Sequence, residues 1–242
     1  MAPTPSPVMP PTRRQRGRDS ALREIKAAAL DELRQHGARG VTMRGVARAI
    51  DMTPSGLYRY FDDHQALLAA LCVDAHESLL ATLVGAQTTH ADDDTVTQWF
   101  RGSVVMRRWA LGHVDEYAMV VGPRLLGVDP GHPDLLTAVA RLMRVPVDTV
   151  ARAVETGELV PAPAPGMGLA SSADRRRDVL EEARAIAVGA VSALVGAVSL
   201  EAFGHLSGAD RADEYATYSL QVMRGMGWVG TSESDGLLRA AS

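Results

Sequence analysis

Apolar residues recur at intervals of three and four along most of the chain, and this spacing predicts helices. A first helix is expected over residues 19–36, and its buried face carries Leu22, Ile25, Ala29 and Leu33. Later helices are expected over residues 93–111, 113–121, 133–155, 173–206 and 210–227, with Gly and Pro between them. Sustained alternation of apolar and polar residues is not seen, so no strand is predicted. The expected fold class is all-α.

Residues 42–60 contain two short helical segments joined by a tight turn. Thr42 is a predicted N-cap for a helix whose apolar stripe is Met43, Val46, Ala47 and Ile50. After the Asp51-Met52 turn, Thr53-Pro54 supplies a cap and a first helical proline for the next helix, expected to reach about residue 60. This layout is typical of a helix-turn-helix. From the spacing alone, a generic helical bundle is an equal alternative.

Charge divides the chain into two parts. Residues 1–72 hold ten Arg and one Lys against seven acidic residues, a formal charge of +4, while the remainder holds fourteen Arg against twenty-two acidic residues, or −8. A basic N-terminal part suits a polyanionic partner. Chance asymmetry is the alternative.

Four segments are predicted from these patterns. They are a disordered basic arm over residues 1–18, a helix-turn-helix domain over 19–72, a second helical domain over 73–229 and a flexible tail over 230–242. Cys72 is the only cysteine, which excludes an intrachain disulfide and a zinc site made of several thiolates. No secretory signal pattern is visible at the start, so a cytoplasmic location is expected.

The segment VTMRGVARAIDMTPSGLYRYF, residues 41–61, resembles the DNA-binding domain of the tetracycline-repressor (TetR) family. The resemblance extends over roughly residues 20–72, and its most specific part is the Leu-Tyr-x-Tyr-Phe ending. It implies an N-terminal three-helix DNA-binding domain followed by a C-terminal helical ligand-binding and dimerisation domain. Leu57 and Phe61 are then core residues.

The resemblance also implies which residues meet DNA. Thr42 and Arg44 would anchor the first helix of the motif, and Tyr58 and Tyr60 would touch phosphates or bases with Arg59 nearby. The implied DNA-binding set is Thr42, Arg44, Thr53, Pro54, Ser55, Gly56, Tyr58, Arg59, Tyr60 and His64. Two positions depart from the family pattern: His64 follows two acidic residues where a Lys is usual, which puts its phosphate contact in doubt, and Asp51 stands where Gly is usual.

Sixteen uncharged residues lie between Arg184 and Glu201. A membrane span needs about twenty such residues, so a helix buried on several sides is preferred. In the family, the last two long helices form the dimer interface, which makes residues 173–206 and 210–227 its candidates. The interface candidates are Tyr215, Tyr218, Val222, Met223 and Met226, and an ordinary monomer core is the alternative.

Aromatic residues and methionines on the middle helices suit a pocket for an apolar small molecule. The candidate lining residues are Trp99, Met106, Trp109, His113, Tyr117, Met143 and Phe203. For any one of them, plain core packing is the alternative.

These observations favour a ligand-responsive transcriptional regulator, a repressor that a small apolar molecule releases from a palindromic operator. The expected partners are double-stranded DNA, a second copy of the chain and an unidentified small molecule, with no membrane, cofactor or metal. A constitutive architectural DNA-binding protein is the main alternative. An enzyme is disfavoured, because Gly-rich phosphate loops, metal-ligand spacings and nucleophile turns are missing from the sequence.

Overall fold

The computed structural model describes residues 12–37, 40–161, 175–206, 208 and 210–229, with the side chains of residues 175–178 left aside. Its helices are α1 (Arg13–His36), α2 (Met43–Ala49), α3 (Pro54–Leu57), α4 (His64–Thr89), α5 (Thr95–Gly112), α6 (Val114–Val121), α7 (Pro133–Thr156), α8 (Arg175–Ala202) and α9 (Arg211–Met226), with a 3-10 turn at Pro123–Leu126. Within the described ranges, β structure is limited to one bridge between Leu159 and Trp228. The all-α prediction is confirmed.

The chain forms two compact units. One holds the described residues up to Leu71 together with Pro123–Asp129, and the other holds Cys72–Gly122 and the described residues from Pro130 onward. The sequence analysis placed the boundary between the two domains after residue 72. It did not predict that residues 123–129 belong to the first unit.

Helix α1 begins earlier than the sequence suggested. Residues 13–18 were predicted as part of a disordered arm and are helical, because Thr12 and Gln15 form a capping box. The Thr12 hydroxyl accepts a hydrogen bond from Gln15 N at 3.3 Å, and the Gln15 side chain accepts one from Thr12 N at 2.7 Å. The rest of the predicted arm and the predicted tail lie outside the described residues.

The core of the first unit contains most of the apolar residues predicted to be buried on α1 and α2. Its buried side chains include Ile25, Ala29, Leu33, Val46, Ala47, Leu57, Phe61, Leu67 and Leu68. Helix α3 contributes Leu57 as its buried residue, so its other side chains are free to face away from the core. The predicted third helix is shorter than expected, because α-helical geometry ends at Leu57 and turns follow over residues 58–60.

The turn between α2 and α3 has a left-handed residue at Asp51, with φ of 50°. Asp tolerates this conformation better than most residues, whereas a β-branched residue does not. We expect Asp51→Val to lower the free energy of unfolding by about 1–2 kcal/mol. Urea denaturation measures the change. Asp51→Asn is the matched control and should differ from the parent by less than about 0.5 kcal/mol, and equal stability of all three proteins would contradict the strained turn.

The second unit is built from the part of α4 after Leu71, α5, α6, α7, α8 and α9. Its core includes Trp99, Phe100, Trp109, Tyr117, Val150, Leu194, Val198, Tyr215 and Met223. Cys72 is fully buried in this unit, and burial raises the pKa of its thiol to about 11. The thiolate, which is the reactive form, is therefore scarce at neutral pH.

Two apolar helices, α4 and the Val179–Ala202 part of α8, are long enough to cross a membrane by length and composition alone. Core helices of globular proteins pass the same test, so these two helices do not indicate a membrane protein.

The predicted dimer residues on α9 divide into two groups. Tyr215 and Met223 are buried within their own chain and therefore belong to its core, which corrects their assignment to an interface. Tyr218, Val222 and Met226 are partly buried against the same core. Helix α8, in contrast, leaves a line of small and apolar residues exposed, namely Ala185, Val188, Gly189, Ser192, Gly196 and Leu200.

Candidate nucleic-acid interface and apolar cavity

Helix α3 is short, and its first residues fix its start. The Thr53 hydroxyl accepts a hydrogen bond from Gly56 N at 3.1 Å and lies 3.2 Å from Ser55 Oγ. Pro54 occupies the first helical position, where its missing N–H removes no hydrogen bond. A Cβ added at Gly56 would lie 3.0 Å from Met52 Cγ and 3.2 Å from Thr53 Oγ1, so glycine permits this tight start.

Most of the residues predicted to bind DNA are exposed around this start. The exposed ones are Thr42, Arg44, Thr53, Pro54, Ser55, Tyr58 and Arg59. Thr42 caps α2 by accepting from Gly45 N at 3.0 Å, as predicted. Tyr58 has 51% of its surface exposed, an unusual fraction for a tyrosine that serves only packing. The structure thus brings a basic, hydroxyl-rich surface together at α2 and α3.

Three predicted residues are more engaged with the protein itself. Gly56 is half-buried, and Tyr60 is half-buried with the Arg18 guanidinium 5.3 Å from its ring centroid. His64 differs most, because its Nε2 is buried and has no hydrogen-bond partner among the described residues, so this nitrogen is not exposed to a phosphate. The carboxylate before it, Asp63, accepts from Ala66 N at 2.8 Å and caps α4.

A cavity of about 290 Å³ lies inside the second unit, between α4, α5, α6, α7 and α8. Four of the predicted lining residues do line it: Trp99, Met106, Tyr117 and Met143. Most of the other lining side chains are Leu or Val. Such a space suits a small apolar molecule.

Three predicted lining residues lie elsewhere. Trp109 donates from Nε1 to Ser78 Oγ at 3.2 Å, and its ring stacks on exposed His113 with centroids 5.3 Å apart. Phe203 is 44% exposed and packs on the outer side of Tyr117 at 5.9 Å. Trp109 lies on a buried face of α5 that meets α4, whereas His113 and Phe203 follow the ends of α5 and α8 and are exposed.

The sequence did not single out His76, which lines the cavity and is only 3% exposed. Its position four residues after Cys72, on the buried stripe of α4, was the available signal. His76 Nδ1 lies 2.7 Å from Cys72 O, and this bond fixes the ring against its own helix.

Burial lowers the pKa of His76, although the bond to Cys72 O and the nearby Glu77 carboxylate act in the opposite direction. The unfolded chain therefore binds the His76 proton at higher pH than the folded protein does. We expect the free energy of unfolding to fall as the pH decreases below about 6.5, and His76→Leu to weaken that dependence. Urea denaturation across this range measures it, and identical pH slopes for parent and variant would contradict the shift.

Among the described residues, no group of three or more His, Cys, Asp or Glu side chains is arranged to hold a metal ion. The candidate binding sites considered below are the α2–α3 surface for DNA and the cavity for a small molecule.

Family profiles match both regions. The profile described as bacterial regulatory proteins, tetR family, matches residues 25–71, and the profile described as tetracyclin repressor-like, C-terminal domain, matches residues 99–223. The chain belongs to the TetR family. It is therefore a transcriptional regulator with a helix-turn-helix DNA-binding domain, and not an enzyme.

Relatives of known sequence agree with membership of the TetR family. The chain is 30% identical over 152 residues to the HTH-type transcriptional regulator Rv1816 of Mycobacterium tuberculosis. That match covers 59% of this chain and 62% of the regulator, which is less than two thirds of the regulator's length.

Solved structures share the TetR fold at lower identity. A protein with unknown function from Rhodococcus sp. RHA1 has a TM-score of 0.69 and 23% identity, covering 85% of this chain and 95% of its own. RolR, solved in complex with the ligand resorcinol, has a TM-score of 0.54 and 18% identity, covering 94% of this chain and 95% of its own.

Proposed function

We propose that this TetR-family regulator is a homodimeric repressor that binds a palindromic operator through α2 and α3 and leaves it when a small apolar molecule enters the cavity. The observation that carries the DNA-binding part is the exposed surface of α3 and its two flanking residues, where Thr53, Ser55 and Tyr58 are exposed while Leu57 is buried in the core. Hydroxyl groups and arginines of this kind bind phosphates and base edges.

The dimer rests on the exposed line of α8 residues. Gly189, Ser192 and Gly196 are small enough for a second helix to approach closely, and Val188 and Leu200 supply exposed apolar surface. A two-fold axis along this face pairs like residues of two copies. Two copies of α3 then need a separation of about 34–36 Å to enter successive major grooves.

Support for a ligand response comes from the apolar cavity in the second unit. Among proteins of similar fold, RolR was solved with resorcinol bound. A ligand that prefers one shape of the dimer by about 1–3 kcal/mol changes its DNA affinity by about 5- to 150-fold. This amount suffices for a switch.

The experiment that tests the proposal identifies bound fragments of the source genome and titrates the best one by gel shift. We expect a site with two-fold symmetry, one dimer per site and steep salt dependence. Arg44, Arg48 and Arg59 are exposed in each protomer, so a dimer offers six such arginines. With six phosphate contacts, affinity should fall about a thousandfold between about 50 and 200 mM salt.

Arg44→Gln is the matched variant for this measurement. Because it removes two contacts per dimer, the slope of log affinity against log salt should become shallower by about two. A slope near zero in the parent protein, or binding of one protomer to an asymmetric site, would refute the proposed mode of DNA binding.

A further inference from the structure

The charge of the cavity wall limits what can bind there. Among the described residues that line it, none is Asp, Glu, Lys or Arg. A charged group placed against this wall loses hydration without gaining an opposite charge, which is unfavourable. The wall therefore selects uncharged molecules.

Most polar groups in the wall are already used within the protein. Ser103, Tyr117 and Thr149 each donate their single hydroxyl hydrogen to a partner inside the protein. The polar wall atoms and their partners are Ser103 Oγ to Phe100 O (2.7 Å), Tyr117 Oη to Val195 O (2.9 Å), Thr149 Oγ1 to Val145 O (3.1 Å), Gln98 Nε2 to Asp93 O (2.8 Å) and Gln87 Nε2 to Thr149 Oγ1 (3.2 Å). The hydrogens of these hydroxyl groups are therefore already donated within the protein.

His76 differs from them. A backbone carbonyl only accepts hydrogen bonds, so the 2.7 Å contact with Cys72 O places the hydrogen on Nδ1. Burial keeps the ring neutral by lowering its pKa. A neutral ring with its hydrogen on Nδ1 carries a lone pair on Nε2, and the Nδ1 contact turns the Nε2 edge away from the α4 backbone. In the part of the chain that the structure describes, the bond to Cys72 is the hydrogen bond that His76 makes.

We infer that the ligand is an uncharged, mostly apolar molecule with a hydroxyl group that donates a hydrogen bond to Nε2 of His76. The inference rests on the proposed function in that it takes the cavity as the ligand site. At about 290 Å³ the cavity is at the lower end of the usual range for ligand pockets, so a molecule of one or two rings is the expected size. His76 is then the residue that distinguishes a hydroxylated ligand from its ether or its acid.

Three probes of one shape test this inference: 4-phenylphenol, its methyl ether 4-methoxybiphenyl, and biphenyl-4-carboxylate. Binding to the full chain is measured by isothermal titration calorimetry and by quenching of tryptophan fluorescence, because Trp99 lines the cavity. We expect the phenol to bind about three- to tenfold more tightly than the ether, the range given by one net hydrogen bond. The carboxylate should bind most weakly.

Variants assign the preference to His76. His76→Leu should reduce the ratio of phenol to ether affinity to about one, while Thr88→Ala, a change at an exposed position of the same helix outside the wall, should preserve it. His76→Gln keeps a carbonyl acceptor and should retain part of the preference. Circular dichroism and thermal melting confirm that each variant is folded. If His76→Leu does not fold, the comparison of the three probes on the parent protein still tests the inference.

Several results would overturn the inference: equal binding of phenol and ether, preference for the carboxylate, no binding of any probe, or a phenol preference that survives in folded His76→Leu. Operator titration separates this inference from the proposed function. If the phenol binds with a His76-dependent preference and the operator stays bound, the ligand class holds and ligand release fails. If an unrelated molecule releases the operator while the phenol binds no more tightly than its ether, the proposed ligand release holds and the inferred ligand class fails.

Discussion

Tyr58→Ala is expected to weaken operator binding about thirtyfold while the protein remains folded and dimeric. Tyr58 directly follows the end of α3 and its ring is half exposed, so its loss removes little core packing. Because a dimer carries the change twice, a loss of about 1 kcal/mol per protomer becomes about 2 kcal/mol per complex. Gel-shift titration at constant salt measures the loss, and size-exclusion chromatography follows the oligomer.

Tyr58→Phe tests the hydroxyl group alone, because it keeps the ring. Its operator affinity should fall only if the hydroxyl contacts a phosphate. Thr137→Ala is a control outside the DNA-binding unit, because Thr137 is exposed on α7 and its hydroxyl donates to Pro133 O within the same helix. Operator affinity that stays the same in Tyr58→Ala would place this side chain outside the DNA interface and would remove the strongest support for the proposed binding surface.

Glu201→Ala should be the most destabilising polar change in the second unit. Arg107 Nε and Nη2 donate to Glu201 Oε2 and Oε1 at 2.8 and 2.5 Å, and both side chains are only 14% exposed. The Arg107 guanidinium also lies 5.6 Å from the Tyr215 ring centroid. Removing the carboxylate leaves a largely buried cation without its partner, so the free energy of unfolding should fall by about 3 kcal/mol.

The matched control is an exposed ion pair. Asp148 accepts from Arg144 at 3.2 Å, with 54% and 79% of the two side chains exposed, and Asp148→Ala should cost less than about 0.5 kcal/mol. The double variant Arg107→Met with Glu201→Leu should recover most of the lost stability, because it removes both charges together. If Glu201→Ala lowered the free energy of unfolding no more than Asp148→Ala does, the Arg107–Glu201 ion pair would contribute no more to stability than an exposed pair.

The sequence predicted most of the helices well, because local signals determine them. Threonine caps, the first-turn Pro54 and the apolar stripe of α2 each act within a few residues, and all recur in the structure. The start of α1 was placed late because its cap, Thr12, follows a proline-rich stretch that suggested disorder.

The cavity was only half predictable, because periodicity identifies an apolar face without saying which neighbour it meets. Met106 and Trp109 lie three residues apart on α5, yet Met106 lines the cavity and Trp109 packs against Ser78 on α4. His76 was missed for the opposite reason. A single histidine on an apolar stripe carries no signal until the position of its second nitrogen relative to a cavity is known.

The inaccessible thiol of Cys72 has a practical use. With its pKa raised to about 11 and its side chain fully buried, it should hardly react with maleimide reagents at neutral pH. A cysteine introduced at exposed Ser55 would then be the sole position to take up a spin label or a fluorophore in each protomer. In the proposed dimer, a pair of such labels would report the distance between the two copies of α3 with and without bound small molecules.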